Sequence, residues 1–136
     1  MGAIASFALR KAVRAVLASD TALVDALGAA KIFDEVPRGM SAPFITFGDT
    51  QWRDWSTATD RGADQVFTLD IWTDHRGVRQ ALELAERVAA LLDSAQLTLD
   101  GHRLIDLRLN ALDSRRDANG RLARASLRFR ALTETI

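Results

Sequence analysis

From Arg121 to Thr133 the chain alternates without a break. Ala123, Ala125, Leu127, Phe129 and Ala131 fall on one side of an extended strand, and Arg124, Ser126, Arg128 and Arg130 on the other. Arg103 to Asp113 repeats the pattern, with Ile105, Leu107, Leu109 and Ala111 inward and Asp106, Arg108 and Asn110 outward. Asn119-Gly120 supplies a hairpin turn between the two. A hairpin (103–133) with one apolar face has to bury that face against another layer. The pattern predicts an antiparallel sheet covered on one side by helices, an α+β fold.

The covering layer is also readable. Leu9, Ala12, Val13, Val16 and Leu17 recur at helical spacing from about Ala3 to Ala18, and Ser19 or Asp20 can cap a second helix, Thr21 to Leu27, that Gly28 ends. The N-terminal helices therefore span 3–28. Val78, Ala81, Leu82, Ala85, Val88, Ala89 and Leu92 form a broad stripe on a helix from Val78 to Asp93, with Arg79, Glu83 and Arg87 stacked four apart on its other side. Three more strands are expected before that helix: Ile32 to Val36, one opened by Pro43 with Ile45 and Phe47 on one side, and Gln65 to Thr73 with Phe67, Leu69 and Ile71 on one side. Leu97-Thr98-Leu99 and the Asp100-Gly101 turn lead into the final hairpin. The order is α-α-β-β-β-α-β-β-β, with no repeat or linker, and 136 residues fit one domain, 1–136.

Composition narrows the function classes. The chain has no Cys, which excludes disulfide frameworks, thiolate zinc sites and cysteine nucleophiles. No apolar run approaches the roughly 18 residues of a membrane span. Arg10, Lys11 and Arg14 interrupt the N-terminal apolar stretch, so it does not read as a secretory signal. Formal charge is zero, but residues 101–136 hold eight Arg against four acids, leaving residues 1–100 net negative. A basic end and an acidic body allow head-to-tail stacking of copies.

No catalytic, metal or cofactor constellation emerges. His75 and His102 each flank a predicted turn and read as surface residues, and a metal would need further ligands at suitable spacing. Asp70 and Asp74 share a strand face but lack a nucleophile or His beside them, so they read as a solvated pair. There is no phosphate loop, nucleophile elbow or H-E-x-x-H motif. The expectation is a non-enzymatic binding or building-block protein without cofactors.

Two constellations remain. Residues 48–64, GDTQWRDWSTATDRGAD, are polar and acidic yet carry Trp52 and Trp55, flanked by Arg53 and Asp54. The segment is either a long loop or a hairpin arm extending beyond the sheet, and two tryptophans in so polar a setting suit a subunit interface. Trp72, by contrast, reads as a core residue covering the sheet edge. The second constellation is the arginine row Arg124, Arg128 and Arg130 with Arg108 on the neighbouring strand, extended by Arg115 and Arg116 near the turn. Such a row is either a solvated face offset by Asp106 and Asp70, or a surface for phosphates or acids.

The order of these elements resembles a family. Ala18-Ser19-Asp20 and Leu23 after a helical start, Ile32-Phe33, Pro43-Phe44-Ile45-Thr46-Phe47-Gly48, Leu69-Asp70-Ile71-Trp72-Thr73, one amphipathic helix, Leu97-Thr98-Leu99-Asp100-Gly101 and Arg128-Phe129-Arg130-Ala131-Leu132-Thr133-Glu134 together resemble the tail-terminator (tail-completion) proteins of long-tailed phages and phage-derived gene transfer agents. The Arg-rich, Lys-poor composition suits a gene transfer agent. The resemblance implies a fold similar to tail-tube subunits and a homo-oligomeric ring, a hexamer, that caps the tail tube and joins it to the head connector. The implied partners are further copies, the tail-tube protein and the head–tail connector or stopper, with DNA as cargo in the channel and no membrane. The implied location is the bacterial cytoplasm during assembly and then the head–tail junction of the particle. It implies no catalytic residues. Trp52, Arg53, Asp54 and Trp55 would then lie at a subunit interface, and Arg108, Arg115, Arg116, Arg124, Arg128 and Arg130 would face the channel or a partner. A head-tail stopper or head-completion ring, and a stand-alone module binding nucleic acid or anions, remain the alternatives.

Overall fold

The structure is a computed structural model that describes residues 2–74, 76–116 and 121–136, with side chains from Ala5 onward. The elements run α1 (Gly2–Ser19), α2 (Thr21–Leu27), β1 (Ile32–Phe33), β2 (Phe44–Asp54), β3 (Gly62–Asp74), α3 (Val78–Leu92), β4 (Thr98–Leu99), β5 (His102–Arg116) and β6 (Leu122–Thr135). This is the expected order and an α+β architecture. His75 and the Asn119-Gly120 turn lie outside the described residues.

The sheet order is β1-β2-β3-β6-β5-β4. Its four long strands are antiparallel, while β1 pairs parallel to β2 through Ile32↔Ile45 and Phe33↔Thr46. The connection over residues 34–43 permits the parallel pair, since a tight two-residue hairpin would return the chain antiparallel. Within that connection the Pro37-Arg38-Gly39 turn forms, closed by a Met40 N–H to Pro37 carbonyl bond, with Gly39 at φ +81°.

All three helices cover one sheet face. Leu9, Val13 and Leu17 of α1, Leu23 and Leu27 of α2, and Ala81, Leu84, Ala85, Val88 and Leu92 of α3 bury against Ile45, Phe47, Phe67, Leu69, Ile71, Leu107, Leu127 and Phe129. Phe67 and Phe129 face each other across β3 and β6 with stacked rings 5.4 Å apart. In α3 the buried face is rotated slightly from the expected stripe. Leu84 is buried, whereas Val78, Leu82 and Ala89 are half-buried.

Asp20 caps α2 by accepting from the Leu23 N–H at 3.0 Å. It also receives Arg87 of α3 in a two-pronged pair, which lowers its carboxyl pKa below the usual carboxylate range. Arg79 does pair with Glu83 as its spacing predicts, at 3.1 Å, but Arg87 leaves that stack for Asp20.

The expected alternation of β5 does not hold. β-Bulges shift its register between Leu104 and Asp106 and again between Leu109 and Ala111. Each bulge inserts one residue and turns the residues beyond it to the opposite face. Leu104 therefore packs toward the core and Ile105 is 44% exposed. Ala111 turns to the open side, and Leu112 returns to the helix side beyond the helices' reach, 46% exposed.

Candidate functional site

The sheet face without helices carries the arginine row. Register places Arg53, Arg103, Arg108, Arg115, Arg124, Arg128 and Arg130 on it, together with Asp64, Asp70, Asp74, Asp106, Asp113 and Glu134. The face is nearly neutral, because each basic position on β5 and β6 has acids within one or two rungs. Arg130 grips Asp64 with two hydrogen bonds, 2.9 and 2.7 Å, and that bond holds the Asp64 carboxyl pKa down. Arg108 donates to Asp106 at 3.0 Å. Arg124 lies over the Trp72 ring, 5.3 Å from its centroid. Arg115 and Arg128 make no ion pair among the described residues. Arg116 sits opposite Ala123, on the helix side, and does not belong to the row.

Asp70 and Asp74 share this face as expected but do not pair with each other. Asp70 accepts a hydrogen bond from the Ser126 hydroxyl, so it offsets no arginine directly. Trp72 is not in the helix-covered core. It packs against Phe44 on the open face, rings 6.4 Å apart, and donates its indole N–H to the Thr46 hydroxyl at 2.9 Å. The alternation of β3 would have signalled this, because Trp72 has the opposite parity to Phe67, Leu69 and Ile71.

Residues 48–64 take the hairpin form. Pairing continues from Thr50↔Phe67 to Asp54↔Ala63, and β3 stays paired to β6 down to Gly62↔Glu134, so these strands belong to the sheet and only residues 55–61 connect them. The connecting loop is held by its own bonds. Trp55 N–H donates to Gly62 carbonyl at 2.9 Å, and Thr57 N–H to Asp60 carbonyl at 2.8 Å. The Ser56 hydroxyl donates to Asp54 Oδ1 at 2.6 Å and accepts from Gly62 N–H at 3.1 Å. Trp52 and Asp54 point to the helix side, where Trp52 and Ala5 line a small pocket, while Arg53 points to the open face. Trp52 and Trp55 stay 45% and 42% exposed. The four residues thus form an edge, seen from both faces, rather than one patch.

The two long outer strands are each covered along only part of their length. β1 covers β2 at Ile45 and Thr46 and leaves the rest of that edge open. β4 covers β5 at His102 and Arg103. Further along β5, Ser94 N–H donates to the Leu107 carbonyl at 2.8 Å, and Asp93 Oδ1 accepts from Leu109 N–H at 2.9 Å. From Asn110 to Arg116 β5 is exposed throughout. Ile105 and Leu112, exposed apolar residues of this strand, were hidden in the sequence by the bulges.

His102 is buried rather than exposed, and its Nδ1 has no hydrogen-bond partner among the described residues. Its place on β5 opposite Thr135 explains the burial, since this end of the strand lies under β4 and the C-terminus. Gln65 is fully buried and donates to the Thr133 hydroxyl at 3.3 Å. Among the described residues no group of three or more His, Asp or Glu is placed to hold a metal ion. No described helix is long and apolar enough to cross a membrane.

Comparison with known proteins gives a consistent picture. No curated protein matches the chain. A solved structure described as the virion of a native gene transfer agent particle contains a similar chain, 32% identical, with a TM-score of 0.89, covering 98% of this chain and 99% of that one. The family model for tail completion protein gp17 matches residues 11–134. The match takes in the C-terminal half of α1, all of β1 to β5 and β6 up to Glu134, and so the chain belongs to the tail completion protein gp17 family, a family of structural virion proteins.

Proposed function

We propose that this protein is a tail terminator: a homo-oligomeric ring, hexameric, that caps the tail tube and offers its other end to the head connector. The observation that carries the reading is the near full-length likeness to a chain of a gene transfer agent virion. Membership in a structural virion family speaks against an enzyme. A ring of identical subunits needs a heterologous interface, made of two different surfaces that fit each other. The open edges of β2 and β5 are two such surfaces, and Trp52, Arg53, Asp54 and Trp55 lie on or beside the first.

In such a ring the helix layer takes the larger, outer circumference, and the open face lines the channel. Arg108, Arg115, Arg124, Arg128 and Arg130 then face the channel, while Arg116 faces the other way. Their acidic neighbours matter for this role. An unopposed basic wall would hold DNA through phosphate contacts, whereas a nearly neutral one lets it pass. The same balance argues against a stand-alone nucleic-acid-binding module.

The test is deletion of the gene from a producing cell, followed by electron microscopy of the particles. A terminator leaves tail tubes of uncontrolled length and no tails joined to heads. Tails of normal length beside heads that have lost their DNA would instead identify a head-tail stopper, and overturn this reading.

A further inference from the structure

The uncovered parts of β2 and β5 match in length, direction and chemistry. On β2 the open edge runs from Gly48, just past the β1 pairing, to Asp54, where the strand ends. On β5 it runs from Asn110, just past the Asp93 contact, to Arg116, where that strand ends. Each stretch is seven residues. The two lie at opposite ends of the sheet, because Trp52 shares a rung with Gln65, Ala131 and Leu107, not with Leu112. β2 and β5 also run in opposite directions, so copies arranged side by side with one orientation present them antiparallel.

We infer that β2 residues 48–54 of one copy add to β5 residues 110–116 of the next, with Thr50 opposite Ser114, Trp52 opposite Leu112 and Asp54 opposite Asn110, joining the sheets of neighbouring subunits into one. The inference rests on the ring reading and specifies its contact. Trp52 and Leu112, both on the helix side and 45% and 46% exposed, cover each other in this register. Beyond the β-bulge that interrupts β2 between Phe47 and Thr50, Gln51 falls opposite Asp113 and Arg53 opposite Ala111, so no like charges meet. Trp55 N–H donates inward to Gly62, so by alternation Trp52 turns its N–H and carbonyl outward, toward the side a partner strand would take. β1 and the Asp93–Ser94 segment stand in line with the ends of the incoming strands and act as stops against register slip.

The geometry closes. From Leu107 to Leu112 are five residues, one of them the extra residue of the bulge, so the joint is staggered by four rungs, about 14 Å at about 3.4 Å each. Four long strands span about 19 Å at about 4.8 Å apiece. The two distances set a strand tilt of about 35°, at the edge of the range that closed barrels show. The tilt is set by one subunit alone, whatever the number in the ring.

The chain has no cysteine, so engineered pairs report cleanly. Gln51→Cys with Asp113→Cys, both at exposed positions, should give on mild oxidation a ladder of covalent multimers ending at the ring. The shifted pair Gln51→Cys with Arg115→Cys should cross-link at least about tenfold more slowly, because it is off by one full repeat of the pleat. Rings that form without either ladder overturn the edge pairing and leave the ring reading standing. A faster ladder from the shifted pair overturns the register. A chain that stays monomeric at all concentrations, with or without tail tubes, overturns the ring reading and this inference with it. As an independent check, Leu112→Lys should raise the concentration needed for assembly about tenfold or more while the monomer stays folded, and adding Trp52→Glu should restore it. No restoration, with both single variants folded, counts against contact between the two side chains.

Discussion

Leu107 and Leu112 lie on one strand, yet the first is 1% exposed and the second 46%. Both project to the helix side of the sheet. What separates them is the layer above: α3 ends at Leu92, and Asp93 turns to grip the β5 edge at Leu109, and among the described residues the strand beyond is exposed. The same division runs through β2, where Ile45 is buried under the helices and Trp52 is not. The covered half of the sheet stabilises the subunit, and the uncovered corners retain apolar side chains that do little for it. In the proposed ring those corners are where neighbouring subunits meet.

The largest effects should therefore come from the covered half. Leu107→Ala should cost about 2–5 kcal/mol, the range for emptying a buried leucine site. Leu112→Ala in the dilute monomer should change stability by less than about 0.5 kcal/mol, as exposed positions do. Urea unfolding of both variants at low protein concentration checks the contrast. Equal losses would mean that Leu112 belongs to its own subunit's core and would remove the division.

A second variant probes whether the β2–β3 corner is as loose as its exposure suggests. A Cβ on Gly62 would sit 2.7 Å from the Trp55 carbonyl oxygen and 3.2 Å from the Thr133 carbonyl oxygen. Both are backbone atoms that cannot swing aside, and the Trp55 ring adds a third contact, its Cε3 at 3.0 Å. Gly62→Ala should then cost about 1–3 kcal/mol, the range for overpacking, despite lying next to an exposed loop. A neutral result by thermal unfolding would show that residues 55–61 shift freely and that the loop is not a fixed platform for Trp55.

How much of this was legible depends on what each feature needs. β3 and β6 alternate cleanly because each is flanked by a long strand along its whole length, so sequence parity and structural face coincide. On β5 parity fails at Ile105 and Ala111, because a bulge is a property of the pair and leaves no mark in one strand. The arginine row was visible, but not what offsets it. Asp64 meets Arg130 across 66 residues and Asp20 meets Arg87 across 67, pairings that exist only once strand order and helix packing are set. The tryptophans of 48–64 stood out by composition, whereas the matching Leu112 did not, because it looked like one more residue of an alternating strand.

Asp20 offers a test of coupling within the covered half. Its carboxylate caps α2 and binds Arg87 of α3, so it ties two helices that otherwise touch through apolar contacts. Asp20→Ala should lower the denaturant midpoint clearly, as the loss of an N-cap side chain does. Arg87→Ala should lower it less, since it leaves the cap bond to Leu23 intact. Midpoints of the two variants and of the pair would show coupling as a double-variant loss smaller than the sum.

The smallest effect concerns acid. The carboxyls of Asp20 and Asp64 both titrate below the usual value of 3.8 in the folded chain, chiefly because Arg87 and Arg130 hydrogen-bond to their ionised forms. A depressed folded pKa means the unfolded chain takes up protons first as the pH drops. Their contribution is therefore complete above the unfolded value and disappears as the pH falls through the lower folded values. Stability should be level from neutral pH down to about 5 and then decline. Asp64→Asn should make that decline shallower, and Asp20→Asn likewise. Arg128→Ala, which removes a charge without an ion-pair partner among the described residues, should leave the shape of the acid limb unchanged. Urea midpoints between about pH 3 and 7 measure all three. If Arg128→Ala alters the limb as much as Asp64→Asn does, the open face acts through its summed charge rather than through the Arg130–Asp64 pair. Its near-neutrality would then be a collective property that single residues do not carry.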